Sequence, residues 1–377
     1  MDNQKVRVAI THGDTNGIGY ELIFKTFAEP EMLELCTPII YGSPKVAAYY
    51  RKAINLQAQF SIIQKAEEAV DGRINLLAAV EDEVKVDMGM PTVESGQAAV
   101  KALDRAMTDY RNGLYDVLVT APVDNNYAQI ENYPFRGHKH YIETCLGEGK
   151  KALSILIGGD FRIASVTENI PLKDVVSSIT TEAIVEKVKL MQQTLKRDFM
   201  ITNPRIAVLA LNPMIGEGAS CGVEEKDTII PAIDTLVENG VQVFGPYPSD
   251  EFFGRGYYVD FDGVMAMYHD QGTTPFHSLS TEEGVVYTAG MPLIRTGADV
   301  TPSFSIAGQG EADETPFRHA IYLAVDAFRH RTDYDAAREN PLPKLYHEKR
   351  DESEKVRFSI PKKHSNAPFN PKEQAKS

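Results

Sequence analysis

Short apolar runs alternate with amphipathic stretches along this chain. Residues 6–10, 38–41, 116–120, 206–211, 241–244 and 264–267 are near-continuous apolar runs, each short enough for a strand buried on both faces. Between them the spacing changes to that of helices. Val100, Leu103, Met107 and Tyr110 share one face of a predicted helix over 95–112, which Gly113 stops. Ile184, Val188, Met191 and Leu195 define a second helix. Phe317, Ile321, Ala324 and Phe328 define another over 314–329, and shorter helices are predicted at 20–28, after Gly42-Ser43-Pro44, and at 224–239. Segments 152–158 and 162–166 read as paired short strands, and 284–290 with 291–295 as further extended chain. Strands alternating with helices at this spacing predict an α/β fold with mostly parallel sheets covered on both sides. Beyond residue 333 the periodicity fades, and 341–377 reads as an extended or disordered tail.

Length and composition narrow the class. A chain of 377 residues is long for one core and suggests two lobes. The formal charge of −14 argues against non-specific nucleic-acid binding, though a local basic cluster can still hold an anionic substrate. No run of eighteen apolar residues occurs and the start lacks the apolar core of a signal peptide, so neither a membrane partner nor secretion is expected; a cytoplasmic location is. Cys36, Cys145 and Cys221 are far apart and show no disulfide or zinc-ribbon spacing.

Three stretches carry candidate chemistry. The apolar run 264–267 delivers His269, Asp270 and Gln271 at its carboxyl end, where open α/β sheets hold their ligands, and Gly272 is then expected to turn the chain. The segment Thr11-His-Gly-Asp-Thr-Asn-Gly-Ile-Gly19 follows a strand and precedes a helix. It is either a nest of backbone N–H groups for an anion or simply a tight turn, and its spacing is not the dinucleotide fingerprint GxGxxG. Arg136, His138, Lys139 and His140 place four potential cations within five positions, either to hold a phosphate or carboxylate or as a solvated basic turn.

Taken together, the motifs resemble a known family. Thr11-x-Gly-Asp-x-x-Gly-Ile-Gly19, Thr120-Ala-Pro-Val123, Gly137-His138, Leu211-Asn-Pro213 with Gly216-Glu-Gly218, Gly245-Pro-x-Pro-x-Asp250, Met267-Tyr-His-Asp-Gln-Gly272 and Pro292-x-x-Arg-Thr296 occur in that order. The chain is similar over about 6–331 to the 4-hydroxythreonine-4-phosphate dehydrogenases of the pyridoxal phosphate pathway. The resemblance implies a two-lobed α/β/α fold like that of isocitrate and isopropylmalate dehydrogenases, with the active site in the interlobe cleft. One lobe would comprise 1–136 plus 290–333. The other, 137–289, would carry dimerisation and site residues. It further implies a homodimer that oxidises a small phosphorylated hydroxy amino acid with NAD. The 3-oxo acid then loses carbon dioxide, assisted by a divalent metal (Zn, Mg or Mn) on three histidines.

Carried over residue by residue, the third metal histidine is His269, whereas the first falls on Asn169 and the second on Met214. An amide is a weak ligand and a thioether a soft one, so the metal set is incomplete. Substrate contacts fall on His138, Lys139, His277, Val286 and Arg295. His138 and Arg295 match the family. Lys139 stands for a threonine, His277 for a lysine and Val286 for an asparagine. By the same resemblance Asp250 and Asp270 orient His269 or bind a cation, and His277 supplies the proton that the family's lysine gives. The expected function is therefore that dehydrogenation. The alternatives are a metal-independent divergent enzyme, in which Lys139 and His277 supply missing positive charge, and an inactive ligand-binding relative.

Overall fold

The structure is a computed structural model that describes residues 5–80, 84–128, 135–215, 221–280 and 284–341. The tail expected over 341–377 and the motif Gly216-Glu-Gly218 therefore lie almost wholly outside the described residues. The chain divides into compact units at Ala336 and Ala337, and the sheet described here belongs to the first.

Twelve strands form one sheet among the described residues. They are β1 (Val6–Thr11), β2 (Cys36–Gly42), β3 (Phe60–Ile63), β4 (Ile74–Ala78), β5 (Val117–Thr120), β6 (Leu153–Gly158), β7 (Phe161–Thr167), β8 (Ile206–Leu209), β9 (Val243–Tyr247), β10 (Gly263–Tyr268), β11 (Val285–Ala289) and β12 (Ile294–Ala298). Their order is β3-β4-β2-β1-β5-β12-β11-β6-β7-β10-β8-β9. The strands from β3 to β12 in that order are mutually parallel, and so are those from β7 to β9. Between the two blocks, β12–β11, β11–β6 and β6–β7 pair antiparallel, so the blocks run in opposite directions.

Burial follows the apolar pattern. Every residue of β2 and β5 is buried, as continuous apolar runs require. By contrast β6 alternates buried and half-buried positions, leaving Ser154, Leu156 and Gly158 on a face that the core does not fill. That face holds the site. The helix Thr181–Arg197 packs Ile184, Val188, Met191 and Leu195 into the core, as the spacing predicts. The last helix is longer than the predicted 314–329, running Thr315–Glu339.

Gly272 does not turn the chain. Tyr268 ends β10 and the helix His269–Leu279 begins at the next residue. Gly272 lies inside that helix, where a Cβ would come within 3.2 Å of Ala266 Cβ and Ser165 Oγ. The glycine is there so that the helix can lie close on β10 and β7, not for a bend. Gln271 clamps the same junction. Its Oε1 accepts from Met267 N at 2.6 Å, and its Nε2 donates to Ala210 O at 2.6 Å and to Ser249 Oγ at 2.7 Å.

A buried charge pair ties the last helix to the sheet. Arg331 donates from Nε and Nη2 to the two oxygens of Asp198 at 2.7 and 2.8 Å, and Tyr287 Oη donates to Asp198 at 2.7 Å. Burial alone would lower the arginine's pKa, but Asp198 and Tyr287 outweigh it and hold it above the usual value. Removing one partner strands the other charge. Asp198→Leu is expected to cost about 3–5 kcal/mol of unfolding free energy, and the double variant with Arg331→Leu less than the sum of the two single ones. Urea unfolding of the four proteins measures this; additive losses would contradict a coupled pair.

Candidate functional site

The helix His269–Leu279 lies over the exposed face of β6 and β7 and roofs a cavity of about 300 Å³. Ser154 and Leu156 of β6, Val286 of β11 and Ile163 to Ser165 of β7 form its floor. Glu168, Asn169 and His269 stand at one end, and His277 and Asp299 also line it. His269 and His277 are eight residues apart on one helix, about 12 Å along its axis, so the two imidazoles serve different ends. Two larger clefts, of about 830 and 710 Å³, contain none of the predicted site residues.

Each imidazole has a carboxylate. His269 Nδ1 is 2.9 Å from Asp270 Oδ1, both side chains being largely exposed. His277 Nε2 is 2.7 Å from Asp299 Oδ2, and Asp299 is only 21% exposed. A carboxylate accepts only, so His277 donates from Nε2, which leaves Nδ1 as the ring nitrogen facing away from Asp299. Asp299 was not a predicted site residue. It follows β12, twenty-two residues away in sequence, and no local pattern marks it.

Next to the cavity is an unusual arginine. Arg295 is 6% exposed. Strand register puts it opposite Thr288, which in turn pairs with the cavity residue Ser154, so all three lie on one face. Its Nε donates to Thr120 Oγ1 at 3.1 Å and its Nη1 to Thr288 Oγ1 at 3.4 Å; Nη2 also meets Thr120. Among the described residues no carboxylate lies within ion-pair distance of it. Burial pushes its pKa down to about 9. His138 stands close by, at the first position of the helix His138–Leu146, behind Gly137 with φ +99°. Burial first, then the charge of Arg295, holds its imidazole well below the usual range. A buried guanidinium without a counter-charge, beside a neutral imidazole donor, is a place for an anion.

The basic tract is thus a helix start, not a turn, and its members diverge. Lys139 Nζ pairs with Glu168 Oε2 at 2.6 Å, while Arg136 is exposed. Glu168 Oε1 is buried without a partner among the described residues. Lys187 is added by the fold: its Nζ is 3.4 Å from Ser165 O, near the same carboxylate. Burial, partly offset by Glu168, lowers its pKa.

The glycine turn after β1 does not offer an open nest. Residues 11–20 are all buried. Asp14 N donates to Pro122 O, Asn16 N to Asp14 Oδ1, Gly17 N to Asp14 O and Ile18 N to Pro302 O. A Cβ on Gly13 would meet Pro122 O at 2.4 Å. Those four amides are already bonded to the protein, which closes the turn over them.

The donors expected for a divalent metal do not converge either. Asn169, in a left-handed conformation at φ +53°, does line the cavity with His269. Met214 is 54% exposed and is not part of its wall. Asp250 is exposed in the first turn of the helix Ser249–Gly254, also outside the wall. Glu168 has one oxygen already held by an ammonium. Among the described residues no group of three His, Cys, Asp or Glu side chains is placed to hold a metal ion. One imidazole, one amide and half a carboxylate fall short of the three or four ligands such ions take.

Fold and site define a mixed-sheet α/β protein with a titratable cleft on one sheet face and a cationic recess beside it. Comparison with known proteins assigns it more narrowly. The family model for the pyridoxal phosphate biosynthetic protein PdxA matches residues 34–324, and the chain belongs to that family. It is 52% identical over 358 residues to a 4-hydroxythreonine-4-phosphate dehydrogenase of Bacteroides thetaiotaomicron, covering 95% of this chain and 98% of that one. It is 34% identical to one of Sulfurihydrogenibium over 85% of this chain and 98% of the other. A crystal structure of the Klebsiella pneumoniae 4-hydroxythreonine-4-phosphate dehydrogenase aligns with a TM-score of 0.75 at 27% identity, over 87% of this chain and 99% of that one. The relatives' names make this a family of oxidoreductases.

An unpaired buried cation destabilises a protein that holds no anion. Arg295→Met is therefore expected to raise the melting temperature by about 2 °C in anion-free buffer and to abolish the rise that phosphate gives the parent. Thermal denaturation with and without phosphate decides it; a variant that melts lower yet still responds to phosphate contradicts the assignment.

Proposed function

We propose that this protein oxidises the secondary alcohol of a phosphorylated hydroxy amino acid such as 4-phosphooxy-threonine. NAD is the hydride acceptor, and the resulting 3-oxo acid loses carbon dioxide. The observation that carries this is Arg295: buried, without a counter-charge among the described residues, beside His138 and on the sheet face that floors the His277 cavity. In this reading Arg295 and His138 hold the substrate's phosphate or carboxylate and fix its position. His277, oriented by Asp299, takes the alcohol proton on Nδ1 as the C–H hydride leaves. Val286 and Leu156 give the cavity its apolar wall and limit water there. No step passes through a divalent metal, because the donors at the His269 end do not fit one. We take the protein to work as a cytoplasmic homodimer, with 1–136 and 290–333 as one lobe and 137–289 as the other. The sheet order supports that partition, since it keeps β1–β5 and β12 to one side and β6–β11 to the other.

A relative that binds the ligand without turning it over is the second reading, favoured by the separation of His269 from His277 and by the exposed Met214. NADH formation from 4-phosphooxy-threonine separates the two. Turnover is expected, with His277→Gln lowering kcat by about 100-fold or more and leaving KM nearly unchanged. Arg295→Met should raise KM by about 100-fold. Folded protein that binds the substrate in calorimetry but forms no NADH would leave only the binding reading.

A further inference from the structure

The roof of the cavity carries a third polar group between its two imidazoles. His269, Thr273 and His277 are spaced four residues apart on the helix His269–Leu279, so they share one face, and all three line the cavity. Thr273 is one turn from His277, a spacing that leaves about 5–6 Å between Cβ atoms. The floor answers it with Ser154. Ile155 pairs with Ala164 and Leu156 with Ile163, so Ser154 and Ser165 make the next rung across β6 and β7. Gly272, the residue before Thr273, sits over that rung: a Cβ on it would come within 3.2 Å of Ser165 Oγ and 3.4 Å of Ile163 Cδ1. Ser165 Oγ donates to Tyr268 O at 3.3 Å. The hydroxyls of Thr273 and Ser154 have no hydrogen-bond partner among the described residues, although both residues line the cavity. One rung further along the strands, Val286, Leu156 and Ile163 lie side by side as an apolar strip.

The charges of the wall favour one class of partner for these hydroxyls. Its carboxylates are Glu168, which Lys139 pairs from outside the wall, and Asp299, beside His277. Among the described residues no lysine or arginine lines the cavity. The fixed charges facing this space are therefore negative, and it suits an ammonium better than a second anion. We propose that Thr273 and Ser154 bind the amino group of the substrate from roof and floor, and so make this cleft select a hydroxy amino acid over the hydroxy acid that lacks the nitrogen. The inference rests on the reading above, in which the alcohol lies at His277 and the anionic end in the Arg295 recess. In such a substrate the amino-bearing carbon is bonded to the alcohol carbon. A nitrogen held one helical turn from His277 is thus within reach of the same molecule, and holding it fixes the alcohol against the imidazole. An ammonium has three donors and each hydroxyl can accept one of them. The apolar strip alongside limits competing water, so the bonds are charge-assisted in a shielded space.

The test uses the full-length protein and two ligands: 4-phosphooxy-threonine, and 3-hydroxy-4-phosphooxybutanoate, its counterpart without the amino group. Calorimetry gives Kd for each, and NADH formation gives KM and kcat. The parent is expected to prefer the amino ligand by about 100-fold. Thr273→Val and Ser154→Ala should each weaken that ligand by about 10-fold, in Kd and in KM, while the deamino ligand stays within about 2-fold of the parent's value. Thr273→Ser, which keeps the hydroxyl, should bind both ligands as the parent does. Circular dichroism checks the fold; if Thr273→Val does not fold, Ser154→Ala and the parent's own preference decide. Equal affinity of the parent for the two ligands, or folded Thr273→Val and Ser154→Ala variants that lose both ligands alike or neither, overturns the proposal. Binding with the expected preference but no NADH sinks the dehydrogenase reading and leaves this one standing, whereas a parent that binds neither ligand sinks both.

Discussion

The guanidinium of Arg295 sits in the middle of the sheet with two threonine hydroxyls for company and, among the described residues, no negative charge within ion-pair distance. A buried arginine of that kind is costly unless something anionic completes it, and the fold is arranged so that this can happen. β5 supplies Thr120, β11 supplies Thr288, and the helix beginning at Gly137 brings His138 alongside as a neutral donor. The antiparallel pair β11–β6 then carries the same face across to Ser154 and the cavity floor. The reversal between the two parallel blocks has a purpose in this light. It inserts two strands whose alternate positions are free to line a site and are not committed to core on both faces.

Charge is distributed so that each part of the cleft has one task. The His277–Asp299 pair orients an imidazole, the Lys139–Glu168 pair fixes a cation, and Arg295 with His138 is the proposed receiver of an anion. None of these pairs borrows a group from another, which permits them to be altered one at a time. The family framework persists around them: Gly272 keeps the roof helix close, and Gln271 locks its first turn to Ala210, just beyond β8, and to the helix Ser249–Gly254. Membership of the PdxA family and replacement of individual polar positions in the cleft are therefore compatible.

Much of this was legible in the chain itself. The buried strands β1, β2, β5, β8 and β10 announce themselves as apolar runs, and the helix Thr181–Arg197 by its spacing. The short strands β3 and β4 did not, because β3 is a partly exposed edge and a four-residue run has too little period to read. Gly272 misled because a glycine after a polar triplet looks the same whether it bends the chain or lets two backbones approach. The basic tract at 136–140 stayed ambiguous because local charge density does not reveal that Lys139 pairs with Glu168 while His138 lies in the field of Arg295. Asp299, Thr288 and Lys187 were out of reach for one reason: strand register and helix packing bring them in across long sequence separations.

The central claim is that Arg295 and His138 form an anion recess beside a cleft in which Asn169 and Met214 stand at the positions where the resemblance implies metal-binding histidines. The most direct measurement is an anomalous-scattering map at the zinc edge from crystals of this protein grown with zinc and a phosphorylated substrate analogue. The account predicts the phosphate seated between Arg295 and His138, and no zinc peak beside Asn169 and His269, with Lys139 still on Glu168. A full-occupancy zinc on His269 and neighbouring carboxylates, with Lys139 displaced, would contradict it.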